Sequence, residues 1–274
     1  MLLFISIPYY SFGQVQPTSL LTEYIKTGKE FLSKNEYNKA ILNFKKVVQI
    51  NPNEVQAYLF LGFSYESLNQ FKDAEINFEI AKNLFQKQGN SLDVQRTEQM
   101  LKELPQISFN QNAIQINAND EKAYVNLGEA YILSYQYQKA VLYFKKAIQL
   151  DHKDINSYLG LGMADISLKN FKEAGYFFQQ AIQLNSQNII AYSGLGISYD
   201  GLHQYKKAIL CFEKIKQINP NFGMAYNLLG LTYKFLNQSE RAKTNFEKAK
   251  ELFKNQGDLI DSQKVEQLIK VSGF

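Results

Sequence analysis

Glycine recurs in this chain with a fixed step. Gly28, Gly62, Gly128, Gly162, Gly196 and Gly230 are separated by 34, 66, 34, 34 and 34 residues, and the gap of 66 is close to two steps. Four residues before each glycine stands a tyrosine: Tyr24, Tyr58, Tyr124, Tyr158, Tyr192 and Tyr226. Twelve residues after each stands an alanine (Ala40, Ala74, Ala140, Ala174, Ala208, Ala242), and four further on a phenylalanine (Phe44, Phe78, Phe144, Phe178, Phe212, Phe246). A period of this size marks a chain built by stacking one supersecondary unit, so the repeat bounds the fold before any motif does.

The offsets are helical. In the copy that begins at Val55, Tyr58, Gly62 and Tyr65 share one helical face. Phe71, Ala74, Phe78 and Ala81 recur at three- and four-residue spacing and mark a second helix, with Leu68-Asn69-Gln70 as the short polar turn between the two. Each copy is therefore a pair of antiparallel helices. Gly62 and Ala74 carry little or no side chain, which predicts a close approach of the paired helices there. The rings are expected to fill the layer between one pair and the next, and a larger residue at the small positions would overpack by ~1–3 kcal/mol.

Composition narrows the function classes. The 274 residues hold 30 Lys plus Arg against 26 Asp plus Glu, a net charge of +4, too mild for the dense basic face of a dedicated nucleic-acid binder. The single cysteine, Cys211, excludes an intrachain disulfide and a cysteine zinc cluster. Two histidines, His152 and His203, leave little for metal or imidazole chemistry, and both fall in turns. The aromatic pool of 18 Tyr and 20 Phe with no Trp belongs to the repeat. No Gly-rich phosphate loop or His-Glu-x-x-His is present, and Gly194-x-Gly196 lies inside a first helix, where it is packing. Cys211, beside Phe212, reads as a small buried thiol. No catalytic residue, metal ligand or cofactor is expected, and no run approaches the ~20 apolar residues of a membrane-spanning helix.

The combined pattern resembles the tetratricopeptide repeat (TPR) family. That family's 34-residue unit has an aromatic at position four, Leu-Gly at seven and eight, Tyr at eleven, Ala at twenty, Phe at twenty-four, Ala at twenty-seven and Pro at thirty-two. The chain supplies Leu61-Gly62, Leu127-Gly128, Leu161-Gly162, Leu195-Gly196 and Leu229-Gly230, the later alanines Ala81, Ala147, Ala181 and Ala249, and Pro52 and Pro220. It departs with Thr27 for Leu, Val47 and Ile215 for Ala, and Asp165 where Phe31, Tyr65, Tyr131, Tyr199 and Tyr233 stand elsewhere. Asp165 is expected as a partly exposed carboxylate at a joint. The resemblance covers residues 21–271 and implies an all-α, right-handed superhelical solenoid of antiparallel helix pairs with a C-terminal capping helix. It places repeats at 21–54, 55–88, 121–154, 155–188, 189–222 and 223–256, a degenerate unit or joint at 89–120, and a capping helix and tail at 257–274, after an N-terminal segment at 1–20.

The irregular interval has its own logic. Ala113-Ile114-Gln115-Ile116-Asn117 copies Ala147-Ile148-Gln149-Leu150-Asp151, the end of a second helix, and Pro105 suits that helix's first turn. Residues 74–102 also align with 242–270. In both, a glycine (Gly89, Gly257) is placed to end a helix in the left-handed conformation, and Asn90 or Asp258 is placed to cap the next. Leu259–Val271 would then shield the last apolar face. Met1–Gly13 combines an apolar run with Ser11-x-Gly13, small residues where a signal peptidase reads, so an exported location is favoured over a cytoplasmic one. The basic region that precedes such a run is missing, and a tail or an extra hydrophobic cap is the alternative.

What the resemblance implies is binding. Family contacts cluster at positions two, five, nine and twelve of the first helix, one helical stripe. Here the candidate groove is Leu59, Phe63 and Glu66; Lys122, Val125 and Glu129, with Ile132; Asn156, Leu159 and Met163, with Ile166; Ser193, Ile197 and Asp200, with Ile190; and Asn227 and Leu231, with Met224 and Lys234. The stripe is mostly apolar, as partner sites are. Its acids, Glu66, Glu129 and Asp200, favour a basic or amphipathic segment. The subtype that clamps a C-terminal carboxylate needs Lys and Asn at fixed positions, and Ile25 and Lys29, or Phe60 and Val125, fail that set. The expected function is a non-enzymatic scaffold that holds a partner peptide or helix, with an exported assembly factor using the same groove as one alternative. The other is an RNA-binding helical repeat, which the apolar stripe disfavours.

Overall fold

A computed structural model describes residues 17–273; the export reading of Met1–Gly13 lies outside them. Among the described residues there are helices and turns and no strand. The chain divides into two compact units between Ser108 and Phe109. Unit 1 holds α1 (Pro17–Ser33), α2 (Tyr37–Ile50), α3 (Val55–Ser67) and α4 (Phe71–Lys87), and the division falls inside α5 (Ser91–Ile116). Unit 2 continues with α6 (Glu121–Leu133), α7 (Tyr137–Leu150), α8 (Ile155–Ser167), α9 (Phe171–Leu184) and α10 (Ile189–Gly201). It ends with α11 (Tyr205–Ile218), α12 (Gly223–Phe235), α13 (Ser239–Asn255) and α14 (Leu259–Val271). From α1 to α4 in unit 1, and from α6 to α14 in unit 2, each helix packs on the next in line, which makes an all-α solenoid.

The turn inside each repeat is set by its backbone. Asn35, Asn69, Tyr135, Lys169, His203 and Asn237 all have φ between 55° and 63°. The N–H that follows each of them reaches back to the residue at position eleven, as in Gln70 to Tyr65 at 2.8 Å and Asn170 to Asp165 at 2.8 Å. This is a helix end closed by a left-handed residue, and Asn tolerates that conformation better than Tyr, Lys or His. Three of the turns between repeats, before α6, α8 and α10, are closed by side-chain caps. Asp120 accepts from the Ala123 N–H at 3.0 Å, Asp154 from that of Ser157 at 2.7 Å, and Asn188 from that of Ala191 at 2.9 Å. Each such cap contributes about 1 kcal/mol.

The small residues serve a ring rather than a neighbouring backbone. A Cβ built on Gly28 or Gly128 would stand 2.7 Å from the ring of Phe44 or Phe144, and one on Gly162 or Gly230 2.6 Å from Phe178 or Phe246. Gly62 and Gly196 face Phe78 and Phe212 in the same way. All six rings and all six packing alanines are buried. The expected close approach of the paired helices is therefore mediated by the repeat's own phenylalanine, which fills the volume the glycine leaves open.

One expectation for the interval changes. Pro105 does not begin a helix: it lies inside the single helix α5. Leu104 and Ile107, on either side of it, are buried. That apolar burial offsets the loss of one backbone hydrogen bond. Gly89 and Gly257 do end their helices at φ +70° and +79°. Asn90 and Asp258 accept from the N–H groups of Asp93 and Asp261 at 3.3 and 3.0 Å. Val265 of α14 is buried against Phe253 and Ala249 of α13.

Candidate functional site

In unit 1 the sequence stripe is not an open surface. Leu59 and Phe63 are half-buried and belong to one apolar cluster with Phe44, Phe78 and the α5 residues Met100, Leu101 and Leu104. Phe63 meets Phe78 edge-on at 5.2 Å. Glu66 is only 1% exposed. The physical reason is that α5 takes the place of a next first helix and lays its own apolar residues on α3. Periodicity could not show this, because the α5 segment lacks the repeat's glycine and alanine.

In unit 2 the first helices α6, α8 and α10 touch side by side and leave a cavity of about 320 Å³. Its lining combines Glu129, Ile132 and Leu133 from α6, Asn156, Leu159, Gly160 and Met163 from α8, and Ile190 from α10, over the ring of Phe144. Six of the stripe residues meet there: Glu129, Ile132, Asn156, Leu159, Met163 and Ile190. Met163 is 45% and Ile190 57% exposed, while Leu159 and Val125 are buried and act as packing. Lys122, Glu129 and Asn156 are exposed, and Ser193, Ile197, Asn227 and Leu231 are half-buried. Gly160 is a lining residue that the stripe does not contain. It lies against the Phe144 ring, as Gly128 does, so two glycines meet one ring. A Cβ at 160 would stand 2.3 Å from the ring, closer than a side chain can be tolerated. The available signal was the second glycine of Gly160-Leu161-Gly162, a pair repeated at Gly194-Leu195-Gly196.

Asp200 lies further along α10. Its Oδ2 accepts from the Thr232 hydroxyl at 2.7 Å, and its Oδ1 is buried with no partner. The same hydroxyl also reaches the Leu228 carbonyl at 3.0 Å, so one proton serves two acceptors. Burial, opposed by the Thr232 hydrogen bond, raises the Asp200 carboxyl to about 6. A proton on Asp200 would free Thr232 to donate to Leu228, which satisfies both groups. Cys211 is buried, and burial with the nearby Asp200 charge pushes its thiol up to about 11. Such a thiol is a poor nucleophile. Asp165 is buried rather than partly exposed: Asn170 donates to it at 3.0 Å, and burial raises its pKa. Among the described residues no group of His, Cys, Asp and Glu has metal-site geometry.

Models of one family match along the chain. A TPR repeat model matches residues 28–69, and tetratricopeptide repeat models match 121–154, 155–188, 189–222 and 225–256. The chain belongs to the tetratricopeptide repeat family. No curated protein matches it. Among solved structures, a crystal structure of MamA is 25% identical with a TM-score of 0.50, covering 69% of this chain and 96% of that one. MamA 41-end from Desulfovibrio magneticus RS-1 is 20% identical with a TM-score of 0.51, covering 66% and 96%.

Seen as a TPR array, the position-four tyrosines are structural. The Tyr158 and Tyr226 hydroxyls donate to the carbonyls of His152 and Pro220 in the preceding turn, at 3.3 and 3.0 Å. The TPR solenoid supports a protein-interaction scaffold, and no described helix is long and apolar enough to cross a membrane.

Proposed function

We propose that this TPR protein is a non-enzymatic scaffold that binds a partner peptide or helix along the first helices of unit 2. The supporting observation is the open cavity across α6, α8 and α10, with the exposed side chains of Met163 and Ile190 at its mouth. At about 320 Å³ it is at the small end of ligand pockets, which run to roughly 1,000 Å³. That volume suits one large apolar side chain of a partner better than a cofactor. Methionine adapts its shape to such a guest. The exposed carboxylate of Glu129 on the rim favours a basic residue beside the anchor.

Peptides selected by display against the wild-type chain test this reading. Selected sequences are expected to share an apolar residue next to Lys or Arg. Met163→Asp, at an exposed position, is expected to weaken them at least tenfold, because it places a charge in the apolar pocket. Selected peptides that bind Met163→Asp and Ile190→Asp as tightly as wild type would remove the cavity from the function.

A further inference from the structure

Along α6 to α11 of unit 2, charge is separated between the two layers of helices. The second helices α7, α9 and α11 carry eight lysines against Glu173 and Glu213, and Glu213 already pairs with Lys216 at 2.9 Å. The first helices α6, α8 and α10 carry four carboxylates and Lys122. The mild net charge of the whole chain conceals this separation.

The basic layer is also studded with apolar side chains. Leu142, Tyr176 and Leu210 stand one repeat apart, each two residues after a buried packing alanine. Two residues turn a helix by about 200°, so each points away from the core. They are 56%, 56% and 70% exposed. One helical turn away lie Lys146 beside Leu142, Lys172 beside Tyr176, and Lys206 and Lys214 on either side of Leu210; the acids at three-residue spacing are Glu173 beside Tyr176 and Glu213 beside Leu210, and Glu213 pairs with Lys216. None of the four lysines is in an ion pair among the described residues.

We propose that this face of α7, α9 and α11 docks on a membrane surface that carries anionic lipids. The lysines contact phosphate headgroups, and Leu142, Tyr176 and Leu210 enter the interface. Charge complementarity calls for an anionic partner, and the composition selects which kind. Protein interfaces enrich arginine and deplete lysine, and these three helices contain no arginine. Single-stranded nucleic acid is held by basic grooves with stacked aromatic rings, and two of the three apolar side chains here are leucines. An exposed leucine or tyrosine can enter the headgroup region while the lysines around it meet anionic phosphates.

Sedimentation of the full chain with vesicles is the test. The chain is expected to pellet with phosphatidylcholine containing about 30% phosphatidylserine, to stay in solution with phosphatidylcholine alone, and to be released at about 0.5 M salt. Each lysine lost is expected to weaken partition about fivefold, so Lys206→Gln with Lys214→Gln should cost about 25-fold. Leu210→Ser should weaken partition severalfold with an unchanged salt dependence. These positions lie outside the core, and circular dichroism confirms that the variants fold. The absence of pelleting, equal partition into both vesicle types, or partition indifferent to Leu210→Ser would overturn the proposal. Binding of polyuridine in place of vesicles would assign the face to nucleic acid and overturn it as well.

Discussion

At the scale of single residues, each repeat is locked by a phenylalanine ring in the space a glycine leaves open. An alanine in a helix interior ordinarily gains about 1 kcal/mol over glycine. At Gly162 the added Cβ would stand 2.6 Å from the buried Phe178 ring, so overpacking reverses the sign. Gly162→Ala is expected to destabilise by about 2 kcal/mol in chemical denaturation, with recovery when Phe178→Leu is added. Gly175→Ala, whose Cβ would meet Leu195 and Ser198 at 3.7 Å, is expected to stabilise by about 0.5–1 kcal/mol. Asp200 gives a pH prediction. Its carboxyl is raised from 3.8 to about 6, so the folded state prefers the protonated form. Its contribution to stability is complete below pH 3.8 and is lost as pH rises through about 6. Thermal melts between pH 5 and 8 should show a loss on the order of 1–2 kcal/mol that Asp200→Asn abolishes, leaving that variant the more stable at the upper end.

At the scale of elements, the helix ends carry strain that substitution can relieve. Lys169 holds φ 63° in a turn where Asn69 and Asn237 occupy the equivalent place. Lys169→Gly is expected to stabilise by about 1 kcal/mol, read from the thermal midpoint. Pro105→Ala restores a missing N–H inside α5 and should stabilise by about 1–3 kcal/mol with a gain in helical ellipticity. The elements themselves were legible in the sequence because their causes are local: the helical spacing of Tyr58, Gly62 and Tyr65, the caps at Asn90 and Asp258, and the glycines at 89 and 257. The continuous α5 was not legible, because a proline after a weak pattern normally marks a helix start and the burial of Leu104 and Ile107 is a tertiary effect. The site was only half legible. Position in the repeat placed Glu129, Asn156, Leu159 and Met163 on one stripe. It could not show that Met100 and Leu104 pack on Leu59 and Phe63, or that Asp200 meets Thr232, 32 residues further on.

At the scale of the molecule, the same repeat does different things in the two units. In unit 1 the stripe is consumed by the fold, and in unit 2 part of it stays open at the cavity lined by Glu129, Asn156 and Met163. Along α6 to α11 of unit 2 the first helices carry more acids than lysines and the second helices more lysines than acids, which gives that stretch two chemically distinct faces. The chain's four methionines make the central claim measurable: Met163 lines the cavity, and Met100 packs in the unit 1 cluster. Methyl-labelled methionine spectra recorded during titration with a selected peptide should show the Met163 resonance shifting to saturation while that of Met100 stays in place. A saturating peptide that leaves the Met163 methyl unmoved would contradict the account.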